Sequence, residues 1–420
     1  MPRASLKFTS ALVAATLLSG AAATADTYGP FPITVKGYEG DKTNSVAYSG
    51  QIARHVLHDS LKKLASKGDG GANAAEVEAA LLSYFNGAEG DLEIIAPTSK
   101  GDFKIQQATV NEISKGKNIS GKFYDGAMAY NQAVDNYLDE KLEADTKPNS
   151  KPYKDGAPYT GKEHVWDEAF GYFVAAAHSL GLSAEDNYNI AKKKDLAIAD
   201  ANGDGVVDLK TEFVFGPAYY AAGADKSGKT TYMTDIMTAF IEGRKLISSA
   251  QGEDLTDEQR AQLKAYAATI EANWEKVLAE ATFKYAGSVY KDIKKIGDAV
   301  NEEERAKAYR AYVKHWGELK GFAMALQSGK NNLGRTAVHL NRLIGYGPVT
   351  MDETIVSGID ADGNFVRDRK LSWSSYQLNM LRVQELLLGT FGIEARANDA
   401  TAELASLVDS LNTDGGAETD

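Results

Sequence analysis

Apolar residues recur every three or four positions along most of this chain, and that spacing restricts it to a largely α-helical fold. In residues 49–66, SGQIARHVLHDSLKKLAS, the stripe is Ile52, Val56, Leu57, Leu61 and Leu64. Similar stripes run through AAEVEAALLSYF, DGAMAYNQAVDNYLDEKL and TDIMTAFIEGRKLISSA. They recur in DEQRAQLKAYAATIEANWEKVLAEA, NEEERAKAYRAYVKHWGELKGFAMAL, SSYQLNMLRVQELLLGTF and ATAELASLVDSLN. Thr256 ahead of DEQ and Ser183 ahead of AED supply oxygens for the first free amides of a helix. Strand-like alternation is confined to TYGPFPITV (27–35) and FVRDRKLSW (365–373). The expected fold is all-α, two related helical bundles packed together, with few short strands.

Breaks in the pattern give the organisation. GDGGAN (68–73) and the proline-bearing TKPNSKPYKDGAPYTGK (146–162) read as loops, and GADKSGKTT (223–231) as the boundary between bundles at 26–228 and 229–420. Residues 1–25 read as a signal peptide: a basic MPRASLK, an apolar FTSALVAATLLSGAAA and the small-x-small Ala23-Thr24-Ala25. With no cysteine in the chain the leader is not a lipoprotein signal, and disulfides play no part in stability. The expected location is the periplasm or outside the cell, with no later apolar run long enough for a transmembrane anchor. Losing Arg3 and Lys7 with the leader takes the formal charge from −12 to −14. So acidic a chain is poorly suited to nucleic acid, which needs clustered cations.

Two segments carry the chemistry. EHVWDEAFGYF (163–173) and KHWGELKGFAMAL (314–326) align on Glu168 and Glu318, matching Trp166 with Trp316, Gly171 with Gly321 and Tyr172 with Phe322. His164 precedes Asp167 by three positions and Glu168 by four; His315 precedes Glu318 by three. On a helix those spacings share a face. Imidazole plus carboxylate, without thiolate, suits iron or zinc, and facing bundles would bring His164, Asp167, Glu168, His315 and Glu318 towards one ion. The blander reading is a structural hydrogen bond within a core of Trp166, Phe170, Tyr172, Trp316 and Phe322. His55 and His58, beside Asp59, offer a weaker pair that reads more simply as helix surface. His178 and His339 stand alone.

In order along the chain, VAYSGQIARHVL, HVWDEAFGYF, DANGDGVVDLKTEF with FGPAYYAA, and HWGELKGFAMAL resemble a bacterial cell-envelope family of unknown function related to the imelysin-like proteins. The resemblance spans residues 26–390. It implies an exported protein of two related helical bundles, tied to iron uptake or iron-regulated expression, with an envelope iron-uptake component as partner. It also implies a His-x-x-Glu element, which His315 and Glu318 match; the first segment departs, with Asp167 in the third place and Glu168 one further on. The paired-histidine zincin pattern His-Glu-x-x-His is absent from the sequence.

DANGDGVVD (200–208) is the most specific local signal. Asp200, Asn202, Asp204, Val206 and Asp208 fall at positions one, three, five, seven and nine of a calcium loop, with Gly205 at the sharp turn. The twelfth position is Thr211, and the acid comes one later as Glu212. A single such loop predicts a structural calcium clamp; an Asx-turn loop without calcium is the alternative. DADGN (360–364) lacks the following acids and reads as a turn.

Three functions follow. The first is metal binding in iron uptake or homeostasis, without catalysis. The second is a metal-dependent peptidase or a glycan-cleaving hydrolase, although Asp167 and Glu168, adjacent on a helix, point about 100° apart. The third is binding of an envelope polysaccharide, with Phe213, Phe215, Tyr219 and Tyr220 lining a groove.

Overall fold

The computed structural model describes residues 26–68, 71–85, 104–105 and 129–405, and these are mostly helical with a few two-residue strands. The candidate signal peptide, residues 1–25, lies outside the described residues.

Helices α1 (Ser49–Ser66) and α2 (Ala74–Phe85) follow the predicted stripes. Strand β1 (Lys104–Ile105) pairs in parallel with β2 (Val206–Val207) in the acidic loop. Residues 129–142 are not the single α-helix that their stripe suggests. A short α3 (Ala129–Asn131) passes into a π turn, Gln132–Tyr137, closed by Leu138 N to Ala133 O at 2.8 Å, and then a 3₁₀ turn, Glu140–Leu142. The wider turn buries Ala133, Val134 and Tyr137 together.

Capping oxygens fix where the next helices start. Thr160 and Glu163 form a capping box at α4 (Gly161–Phe173), and Ser183 with Asp186 does the same for α5 (Ala184–Ala191). α6 (Gly216–Asp225) and α7 (Tyr232–Ser249) are joined by the predicted break at 223–231. The Asp225 carboxylate accepts from the Thr230 hydroxyl and the amides of Tyr232 and Met233, which makes that break a tight corner.

Thr256 and Gln259 cap α8 (Asp257–Asp298), a 42-residue helix about 63 Å long. It packs against α6, α7, α9 (Glu302–Gln327) and α11 (Trp373–Phe391). Its middle, from Val277 to Val289, is buried at all but Lys284, as a central helix requires. α10 (Gly334–Ile344) leads into two antiparallel pairs, β3 (Thr354–Ile355) with β6 (Arg369–Lys370) and β4 (Gly358–Ile359) with β5 (Phe365–Val366). DADGN is the turn at their tip, closed by Asp360 N to Asn364 O.

The strand-like TYGPFPITV joins no strand among the described residues. Pro30 and Pro32 remove two ladder donors, so the segment runs extended across the helices and is held by isolated bonds such as Tyr28 N to Ala177 O. The buried core runs contiguously from Tyr28 to Ile393. No helix of the described residues is long and apolar enough to cross a membrane.

Candidate metal centres

On α4 the 3.6-residue period separates two sets of side chains. Glu163, Asp167 and Phe170 point into the core, while His164 and Glu168 lie on the neighbouring, partly exposed face. Asp167 therefore does not join His164 as a donor, which corrects the expectation from spacing. Its carboxylate accepts from Arg244 Nε at 2.9 Å, Tyr28 OH at 2.7 Å and Ala47 N at 2.9 Å. Glu163 takes Arg244 Nη1 at 2.9 Å and the Thr34 hydroxyl at 3.0 Å. Arg244 completes its donors on Ser248 Oγ and Ser45 Oγ, each at 2.6 Å. Arg244, Glu163 and Asp167 have 0% side-chain exposure. A sealed ion cluster of this kind binds the extended segment to α4 and α7, and it removes Asp167 from any acid–base pair.

The first face retains His164 and Glu168. The imidazole lies between Tyr153 and Tyr159, at centroid distances of 4.1 and 4.6 Å, with Nε2 3.6 Å from Glu168 Oε2. Burial lowers the His164 pKa, opposed by the charge of Glu168. Gln51 Nε2 donates to Glu168 at 3.0 Å, and the Tyr137 hydroxyl, carried on the π turn, also bonds it.

The second face is more fully furnished. His315 Nδ1 donates to Asp292 Oδ2 at 2.5 Å, across from α9 to α8. Asp292, with 2% side-chain exposure, also takes Lys295 Nζ at 3.2 Å. Tyr285 of α8 shares its hydroxyl between Tyr220 OH of α6, at 3.0 Å, and the Glu318 carboxylate. Burial, reinforced by Glu318, pushes the Tyr285 phenol up to about 12. Tyr220 is raised too, by burial and then by Tyr285. Phe322 stacks on Tyr285 at 5.6 Å. Spacing found His315 and Glu318 but not Asp292, Tyr285 or Tyr220, because these come from helices whose pairing the sequence does not announce. Tyr285 and Asp292 are two turns apart on one face of α8, which is the only local signal.

The two faces do not share partners. The residues around His164 are Tyr153, Tyr159 and Glu168, and those around His315 are Asp292 and Tyr285. No group of three or more His, Cys, Asp or Glu side chains among the described residues is placed to hold a metal ion. The first face thus offers one imidazole and one adjacent carboxylate, and the second one imidazole bonded to Asp292 with Glu318 held by Tyr285; further donors would be phenols or water. The helix repeat is likewise partial. Trp166 and Trp316 each donate to a neighbouring helix carbonyl, Phe240 O at 2.8 Å and Ile344 O at 3.2 Å. A Cβ on Gly171 would meet Tyr48 Cβ at 2.7 Å, whereas Gly321 faces open space.

In the acidic loop the carboxylates wrap their own backbone. Asp200 accepts from the amides of Gly203, Asp204 and Gly205, Asn202 from Asp204, and Asp204 from Val206. Asp208 takes Lys210 N, Thr211 N and the Thr211 hydroxyl. Glu212, buried at 3% exposure, reaches back to Ala201 N, Asn202 N and Asp208 N. Gly203 and Gly205 supply φ values of +73° and +80°. Of the other candidates, His55 is buried against Phe215 with Nε2 unbonded, and His58 is exposed. Phe213 and Phe215 are core residues, at 2% and 3% exposure, so the suggested sugar groove loses half its aromatics.

A family model described as a domain of unknown function, DUF4856, matches residues 100–333, more than half of the chain. The chain belongs to the DUF4856 family. The DUF4856 match contains α4, the acidic loop, α8, α9 and both histidines with their carboxylates and phenols, while VAYSGQIARHVL, which carries Gln51, precedes it. The tie to imelysin-like proteins is no part of that match. No curated protein and no solved structure matches the chain.

Proposed function

We propose that this protein is an exported, periplasmic metal-binding protein related to the imelysin-like proteins, serving iron uptake or iron homeostasis without catalysis. The observation that carries the reading is the His315–Asp292 bond. A carboxylate on Nδ1 fixes the imidazole tautomer and leaves Nε2 with its lone pair, the arrangement typical of a metal-ligating histidine. Glu318, Tyr285 and Tyr220 add hard oxygen donors beside it, a set that suits ferric iron better than softer ions. A bound cation would offset the cost of ionising phenols that burial otherwise keeps neutral. His164 and Glu168 form a weaker second candidate. Asp200, Asn202, Asp204, Val206, Asp208 and Glu212 hold a structural calcium in the same reading. The hydrolase reading loses its carboxylate pair with Asp167 sealed under Arg244.

The test is elemental analysis of protein purified from its native cell envelope fraction. Near-stoichiometric iron or zinc in the wild type, lost in His315→Ala with calcium retained, is the expected result. Equal transition-metal content in both proteins would overturn the assignment.

A further inference from the structure

On the outer side of α5 and α6 the molecule concentrates positive charge, although the chain as a whole carries −12. Tyr188 of α5 and Tyr219 of α6 stack at a centroid distance of 5.0 Å and an interplanar angle of 28°. Ammonium groups lean over this pair from several directions. Lys226 Nζ is 3.9 Å from the Tyr188 centroid, Lys192 Nζ is 4.7 Å from that of Tyr219, and Lys194 Nζ is 5.8 Å from that of Tyr188. Lys284, half-buried on α8, sits 5.2 Å from the neighbouring Tyr285 ring and within Coulombic reach of Tyr188, Lys192, Lys226 and the Glu318 carboxylate.

Only Lys226 has a carboxylate at ion-pair distance, Glu185 at 2.8 Å. Lys192, Lys194 and Lys284 have none among the described residues. Helix C-termini favour cations, which accounts for lysines at 192 and 226, the C-cap positions just after α5 and α6. That does not account for both of them leaning over one pair of rings, with Lys284 of a third helix close enough to act on Tyr188 and on both lysines. Like charges gathered this closely repel one another, and the repulsion is relieved by an anion placed among them.

We propose that Lys192, Lys226 and Lys284, with the Tyr188–Tyr219 pair as floor, form a binding site for a small polyanion carrying two or more carboxylate or phosphate charges. Lysine rather than arginine suits such a ligand as a cluster of point charges that adapts to either oxyanion geometry. The two phenols supply a flat apolar surface and a hydroxyl edge. None of these five residues is a proposed metal ligand, and the site adjoins the α8–α9 face through Lys284, which neighbours Tyr285 and lies within Coulombic reach of Glu318.

Isothermal titration calorimetry of the full chain at low ionic strength tests it, with pyrophosphate and citrate as separate probes and no metal present. At least one probe binds the wild type, and Lys284→Met and Lys192→Met each weaken binding about tenfold while the melting temperature stays put. The stronger probe tells phosphate from carboxylate. Lys245→Met, which removes a cation paired with Asp26 and Glu242, leaves affinity unchanged. Absence of binding by both probes, or equal affinity in the wild type and both site variants, would overturn the proposal.

Discussion

Replacing Arg244 by methionine removes the cation at the centre of the buried cluster and leaves its surroundings in place. Glu163 and Asp167 then each lose a 2.9 Å charge-assisted bond at a site with 0% exposure, and Ser45 and Ser248 lose their donor. Breaking one buried ion pair costs about 3–5 kcal/mol. Here two carboxylates are stranded, which pushes the cost to the top of that range. Each keeps other donors, Tyr28 OH and Ala47 N for Asp167 and Thr34 and Thr160 N for Glu163, which limits it. A loss of about 5 kcal/mol is expected, a third or more of the roughly 5–15 kcal/mol of a typical domain. Urea denaturation followed by circular dichroism measures it. Replacing a stranded carboxylate by an amide removes the uncompensated buried charge, so Arg244→Met with Asp167→Asn should be more stable than Arg244→Met alone. A deficit under about 1 kcal/mol, or a double variant less stable than the single, would refute the reasoning.

Two further outcomes follow from single sites. If the loop at 200–212 clamps calcium, EDTA lowers the melting temperature and calcium restores it, with about 2.7 kcal/mol at stake when calcium is a hundredfold above its Kd; indistinguishable wild-type curves with and without EDTA would count against the clamp. His55 is lowered from 6.5 to about 4, first by burial and then by His58. Between those values the unfolded chain binds more protons, so the stability it contributes is complete above pH 6.5 and is lost as pH falls towards 4, by about 3 kcal/mol. His55→Leu should flatten that part of the urea-midpoint profile, and an unaltered slope would contradict the burial argument.

Helix positions were legible because a stripe repeating every 3.6 residues encodes burial directly, and Thr256 and Ser183 mark starts by the one property a cap needs. The π turn at 132–137 was not legible. Its apolar spacing satisfies an α-helix equally well, and only packing selects the wider turn. Asp167 shows the limit at the candidate site. Spacing places it within reach of His164, but helix geometry alone cannot tell that Arg244, 77 residues later, seals it inside. The second face shows the converse. His315 and Glu318 were visible as neighbours on one helix, whereas Asp292, Tyr285 and Tyr220 reach them only through helix pairing. The glycine match between segments was a coincidence of letters, since Gly171 is forced by the close approach of α1 and Gly321 is not.

Coordination of ferric iron by Tyr285 or Tyr220 beside His315 would produce a phenolate-to-iron charge-transfer band in visible light, a signal that protein without such ligation lacks. Titrating the metal-free protein with a ferric salt held soluble by a weak chelator should give a coloured complex saturating near one ion per chain, weakened in Tyr285→Phe and abolished in His315→Ala. A titration that stays colourless, or a band of equal strength in His315→Ala, would contradict a metal centre on the α8–α9 face.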